Sequence, residues 1–254
     1  MIDIHYYAAK TAGGAAAAAL GAAAIRRAIE ERGHANVVVA TGASQFEMLA
    51  ALVQHAELDW SRVTGFHLDE YVGISETAPA SFRGYLRERF TSLLPTLGAF
   101  HFIDGDAPDI DAEIDRLNAL LDRHPIDVAF VGIGENGHLA FNDPPADFDV
   151  TVAYQRVALD EPCRRQQLGE GWFASLEDVP THAISMTVQR IMSAGTIVVT
   201  VPDARKADAV QKVLEGEVTN LCPASILQRH PACHLFLDQG AASKLAEKPR
   251  ERAA

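Results

Sequence analysis

The sequence predicts an α/β fold: an open, mostly parallel, Rossmann-like sheet with helices on both faces. Three observations carry that expectation. Short β-branched runs alternate with helical stretches almost from end to end, in the βαβα order that builds parallel sheets. The most strand-like run, "IDVAFVGIG" (126–134), is apolar on both faces, as a central parallel strand must be. Several strands also stop abruptly at glycine or at acidic residues, the usual form of a strand-to-helix turn.

Taken in order, "IDIHYY" (2–7) is a strand that leads into a helix running through about Arg32. That helix contains "AGGAAAAALGAAA", and alanine has the highest helix propensity. The stretch does not read as a secretory leader, being only weakly apolar, preceded by a strand and without a basic n-region. "NVVVATG" (36–42) is a strand ending at a glycine turn, with a helix from about Ser44 and Ser44 as its N-cap. "RVTGFHLDE" (62–70) reads as one strand ending in two acids. "GTIVVTVPD" (195–203) is a strand followed by the helical "ARKADAVQKVLEG", and "CHLFLD" (233–238) is the last strand. No repeat, linker or compositional break interrupts the pattern, so residues 1–254 are expected to form a single domain.

Composition narrows the partners. With 34 Asp+Glu against 22 Lys+Arg, the net charge is -12, and no cationic run exceeds a pair such as Arg26–Arg27 or Arg164–Arg165. Nucleic acid needs a clustered basic face, so none is expected. No apolar run approaches membrane-spanning length, so no membrane partner is expected either. Cys163, Cys222 and Cys233 lack C-x-x-C spacing and read as free thiols of a reducing compartment, which makes the chain cytoplasmic. Homo-oligomerisation is left open.

Ligands of such sheets bind beyond the carboxyl ends of the strands, and four of these ends are chemically loaded: "ATGAS", "HLDEY", "GIGENGH" and "VPDARK". "GIGENG" satisfies the spacing of a dinucleotide-binding turn, but such a turn must open a helix. Here Pro144, Pro145 and the turn-favouring Asn142–Asp143 exclude one. The glycines instead allow a loop to approach some other ligand. His138 follows them with Asn136 and Asp143, and a carboxylate beside an imidazole sets its tautomer and raises its basicity. Asp69 ends its strand either as a turn cap or as a general base. Thr41, Gly42, Ala43 and Ser44 form a turn whose amides suit an anion, although the same turn also caps helices without a ligand. Lys206 in the first turn of a helix opposes the dipole, so it is either solvated or paired with an anion. Neither His-x-Glu/Cys nor H-E-x-x-H occurs, so no metal is expected at this site.

Together, "LDEYVGI" (68–74) and "GIGENGHLAFNDPP" (132–145) closely resemble the glucosamine-6-phosphate deaminase/isomerase family, which is related to 6-phosphogluconolactonase. The resemblance extends to "ATGAS", "AISMTVQRIMSAG" (183–195), "ARKADAVQKVLEG" (204–216) and "SILQRHPACHLFLDQGAA" (225–242), the last like a C-terminal strand and helix. It implies conversion of a small sugar phosphate, glucosamine 6-phosphate, to fructose 6-phosphate and ammonia without metal or cofactor. By this resemblance Asp69 moves a proton between C2 and C1, and His138, supported by Asn136 and Asp143, opens the pyranose ring. Thr41, Gly42, Ala43, Ser44 and Lys206 hold the phosphate. The chain departs from the family at three places. Asp143 stands where Glu is common, and Gly171–Trp172 stands where an Arg and an aromatic residue are expected, with Arg164 or Arg165 as the nearest substitutes. The basic effector residues are missing from "ADFDVTVAYQ" (146–155).

Three other readings compete. A lactonase would carry Thr/Ala and Ser after the histidine, where this chain has "HLAFND". A deaminase of another amino-sugar phosphate differs in the sugar epimer. A sugar-phosphate sensor with dead chemistry predicts an attached DNA-binding segment, whereas the strand pattern begins at residue 2.

Overall fold

A computed structural model of the protein describes residues 2–169, 171–247 and 250–251. In chain order its elements are β1 (Asp3–Tyr6), α1 (Lys10–Arg32), β2 (Ala35–Val39), α2 (Phe46–Leu52), β3 (Val63–His67), β4 (Asp69–Tyr71), α3 (Phe82–Arg89), β5 (Ala99–His101) and α4 (Ile110–Leu121). Then follow β6 (Val128–Val131), β7 (Tyr154–Ala158), α5 (Glu161–Gly169), β8 (His182–Met186), α6 (Val188–Met192), β9 (Thr196–Val201), α7 (Ala207–Glu215) and β10 (Cys233–Leu237).

Seven strands form one sheet in the order β1-β10-β9-β6-β2-β3-β5, and every pairing in it is parallel. Alternate side chains along each strand feed two cores. Val37, Val39, Phe130 and Phe236 meet α1, α2 and α3 on one face. Val38, Ala129, Val199 and Leu235 meet α4, α6 and α7 on the other. The expected open α/β sheet with helices on both faces is therefore the observed one, and β6 lies at its centre, buried throughout. Alanines of α1 such as Ala17 and Ala18 are fully buried, so their small side chains let the helix lie close to the sheet.

Three local expectations need correction. "RVTGFHLDE" is not one strand: β3 ends at His67, and after Leu68 the chain enters β4 of a second, three-stranded antiparallel sheet, β4-β8-β7. Leu68 is the hinge, its N–H donating to Val39 O in the large sheet and its carbonyl accepting from Met186 N in the small one. Ser44 is not an N-cap. It lies within a 3₁₀ turn, Ala43–Gln45, that precedes α2, and its Oγ accepts from the Gln45 side-chain amide at 3.0 Å. Beyond β10 the described chain continues through turns, without the expected C-terminal helix.

The direction of the chain reverses between the neighbouring strands β2 and β6. From β2 it proceeds to β3 on one side, and from β6 to β9 on the other. Such a reversal opens a crevice at the carboxyl edge, and the site lies there.

Candidate active site

A cavity of about 600 Å³ opens beyond the carboxyl ends of β2, β3, β6, β9 and β10. All four loaded strand ends line it, contributing Thr41–Ser44, Asp69, Gly132–Glu135 with His138, and Asp203, Arg205 and Lys206.

His138 is held from both sides. Its backbone N–H donates to Asn136 Oδ1 at 3.0 Å, and its Nδ1 lies 3.1 Å from Asp143 Oδ1. The Asn136 amide also donates to Asp143 Oδ1 at 2.8 Å, so Asn136 fixes both members of the pair. Burial alone would raise the Asp143 carboxyl; the hydrogen bond and charge of His138, with help from Cys163 and Asn136, outweigh it and lower the pKa to about 2. An ionised carboxylate only accepts hydrogen bonds, so the imidazole carries a proton on Nδ1, which leaves Nε2 as the nitrogen able to meet a ligand. The shorter Asp thus reaches the ring as the longer family carboxylate is expected to. Gly134 makes this packing possible, because a Cβ there would fall 2.2 Å from His138 Cε1.

Asp143 is itself anchored through its neighbour. Asn142 is buried and donates to Leu139 O and Met186 O at 2.7 and 2.8 Å. That ties the catalytic loop to β8.

Asp69 and Glu70 separate cleanly. Asp69, 7% exposed, lines the cavity at the start of β4. Glu70, pointing the other way, is fully buried and accepts backbone N–H bonds from Tyr71, Phe82 and Arg83 and a hydroxyl bond from Ser81. Burial pushes its carboxyl up, against those bonds. Of the two acids that end the motif, one serves the cavity and the other holds β4 to α3.

The Thr41–Ser44 turn is built around Gly42. Its φ of 94° lies in the left-handed region, where glycine carries no Cβ penalty, and its carbonyl accepts from Tyr85 Oη at 2.9 Å. Lys206 reaches the same cavity from the 3₁₀ turn ahead of α7. Asp203, which opens that turn, holds φ at 88°, a strained value for a non-glycine residue. Its N–H donates to both carboxylate oxygens of Asp238, at 3.1 and 3.0 Å.

Arg164 and Arg165 do not complete the anion site. Arg164 donates to Val179 O at 3.0 Å and Arg165 to Glu161 Oε1 at 2.8 Å, and neither lines the cavity. Three cations that sequence reasoning missed do line it: Lys10, Arg89 and Arg205. Arg89 lies flat over the Phe46 ring, 4.3 Å from its centroid. Lys10 pairs with Glu47 at 2.9 Å. Gln167 was also missed. It lines the cavity from α5, and its Oε1 accepts from Tyr71 Oη at 2.6 Å, so its amide nitrogen is the end left to meet a ligand. Lys10, Arg89 and Gln167 sit at no strand end and in no motif, whereas Arg205 lies within "VPDARK" but was not singled out there. Trp172 is half-exposed at the mouth, where the family Arg is absent.

Comparison with known proteins identifies the family. The profile of the family described as Glucosamine-6-phosphate isomerases/6-phosphogluconolactonase matches residues 9–235. A glucosamine-6-phosphate deaminase of Streptococcus suis is 40% identical over 207 residues, 82% of this chain and 86% of the relative. One from Lactobacillus delbrueckii is 38% identical over 221 residues, 87% and 92% of the two chains. Among solved structures, a monomeric glucosamine-6-phosphate deaminase superposes with a TM-score of 0.84 at 30% identity, covering 95% of this chain and 99% of its own. The 6-phosphogluconolactonase of Trypanosoma brucei superposes with a TM-score of 0.79 at 17% identity, covering 97% and 99%, which speaks for the shared fold alone. The chain belongs to the glucosamine-6-phosphate isomerase/6-phosphogluconolactonase family.

Proposed function

We propose that the protein is a glucosamine-6-phosphate deaminase, converting glucosamine 6-phosphate and water to fructose 6-phosphate and ammonia within one domain spanning residues 1–254. The observation that carries this reading is the meeting of an Asp-oriented imidazole, a separate carboxylate and a cation-rimmed anion turn in one cavity.

The chemistry follows from that arrangement. His138 Nε2 takes the proton of the anomeric hydroxyl and returns one to the ring oxygen, opening the pyranose. Asp143 stabilises the transient imidazolium, and Asn136 keeps the two in register. Asp69 removes the proton from C2 of the open-chain aldehyde while the C2 ammonium gives one proton to O1, forming an enolamine. Asp69 then returns its proton to C1, which leaves an iminium at C2; water adds there, and the carbinolamine collapses to the ketone, the amine leaving with a proton of the added water as ammonia. Thr41–Ser44 and Lys206 hold the phosphate, and binding at that remote group positions C1 and C2 against the base. No step calls for a cofactor.

The substrate is a free sugar phosphate. No helix among the described residues is long and apolar enough to cross a membrane. The acidic balance of the chain argues against a nucleic-acid partner, and the three free cysteines fit a cytoplasmic setting.

A panel of hexosamine 6-phosphates together with 6-phosphogluconolactone tests the proposal. Ammonia release with glucosamine 6-phosphate as the preferred substrate is expected. Lactone hydrolysis without ammonia from any amino sugar would replace this reading with that of a lactonase, and preference for another epimer would change the substrate.

A further inference from the structure

On the edge of the sheet farthest from the chemistry of the cavity, Asp3 and His5 of β1 meet His234 of β10. Asp3 and His234 are register partners on adjacent parallel strands. His5 lies two residues on, on the same face, and its ring stacks on Phe236 with centroids 4.3 Å apart. His5 Nε2 is 3.2 Å from His234 Nδ1 and 3.1 Å from Asp3 Oδ2, and His234 Nδ1 is 3.3 Å from the same oxygen. Three atoms that can each donate a lone pair therefore form a nearly equilateral triangle.

Hydrogen bonding does not account for all three sides. Each ring nitrogen carries at most one proton and the carboxylate carries none, so two contacts at most are hydrogen bonds and the third sets lone pairs or N–H groups against each other. A cation placed just off the plane of the triangle satisfies all three. The spacing is that of a transition-metal ligand set, since donors bonded to zinc at about 2.0–2.1 Å in a tetrahedron lie about 3.3 Å apart.

We propose that Asp3, His5 and His234 bind one divalent transition metal of the zinc class. Two imidazoles and one carboxylate suit such an ion, and the half-exposed Asp3 and His234 leave its fourth position to water. The ion acts as a clip. β1 is a strand of four residues whose one strand neighbour in the sheet, among the described residues, is β10, and the metal links its start to the start of β10. Cys233 contributes nothing, because its side chain packs into the core on the opposite face. The linear sequence conceals the site, since its two histidines are 229 positions apart.

The test uses the full chain stripped with a chelator and titrated with Co²⁺ as an optical probe. The expected result is one equivalent of Co²⁺ with the strong visible bands of four- or five-coordination, displaced by Zn²⁺, and a higher Tm with Zn²⁺ than without. His234→Gln and Asp3→Asn, both at half-exposed positions, should fold as judged by circular dichroism, bind Co²⁺ at least tenfold more weakly and lose the Zn²⁺-dependent rise in Tm. Co²⁺ binding equal in wild type and His234→Gln, absence of stoichiometric binding, or a thiolate charge-transfer band would overturn the proposal.

Discussion

At the scale of the residue, His138 and Asp69 should fail in different ways. Asp69→Asn keeps the shape of the site and removes the base, and general base catalysis is worth roughly 10²–10⁴-fold. Turnover should fall by at least that order with KM little changed. His138→Asn should spare open-chain substrate relative to cyclic substrate. Asp143 adds a pH signature. Its folded pKa of about 2 is below the usual carboxylate value, so its ionised form stabilises the fold. That contribution, about 2 kcal/mol, is complete above the unfolded value of about 4 and is lost as the pH falls through the folded value. Urea unfolding should therefore show a gap between wild type and Asp143→Asn at neutral pH that narrows in acid; a gap independent of pH would contradict this assignment. Lys206→Ala should raise KM roughly ten- to a hundredfold, the value of one charge-assisted contact, and an unchanged KM would remove Lys206 from the phosphate site.

At the scale of the element, the small sheet that carries Asp69 depends on Glu70. Arg83 joins Glu70 at 3.6 Å, Asp104 at 2.7 Å and Asp106 at 2.6 Å, tying β4, α3 and the loop after β5 together. Arg83→Met leaves the buried Glu70 carboxylate with its four hydrogen bonds but without its cation, which should cost about 3–5 kcal/mol in urea unfolding; a cost below about 1 kcal/mol would show that the network is dispensable. This level of organisation was the hardest to read from the sequence. The central strands were legible because burial on both faces imposes an unbroken apolar run, as in β6, β9 and β10. The break at Leu68 was not, because no glycine or proline marks it in "FHLDEY". β7 and β8 carry mixed polar residues such as Gln155, Arg156 and Ser185, which weaken the strand pattern. The site divides in the same way. Asp69, His138 and the Thr41–Ser44 turn lie in motifs at strand ends, where topology brings them together. Arg89, Gln167 and Lys10 come from the flanks of helices, and only the tertiary fold gives them a common cavity.

At the scale of the whole molecule, the account makes two demands. The segment 146–155 contains no basic residue, so kinetics should be hyperbolic and indifferent to N-acetylglucosamine 6-phosphate; sigmoidal kinetics relieved by that compound would contradict it. The β1/β10 metal ligands sit at the opposite strand ends from the cavity, so a chelator should leave ammonia release unchanged. The central claim is that one carboxylate, Asp69, relays the proton from C2 to C1 in a reaction that expels ammonia. Turnover of glucosamine 6-phosphate in deuterated water tests it most directly, with ammonia counted against deuterium at C1 of the fructose 6-phosphate formed. The account predicts ammonia and fructose 6-phosphate in equal amounts, deuterium at C1 to the extent that protonated Asp69 exchanges with solvent before delivering its proton, and loss of both ammonia and label in Asp69→Asn. Undiminished ammonia release and labelling in Asp69→Asn would contradict it.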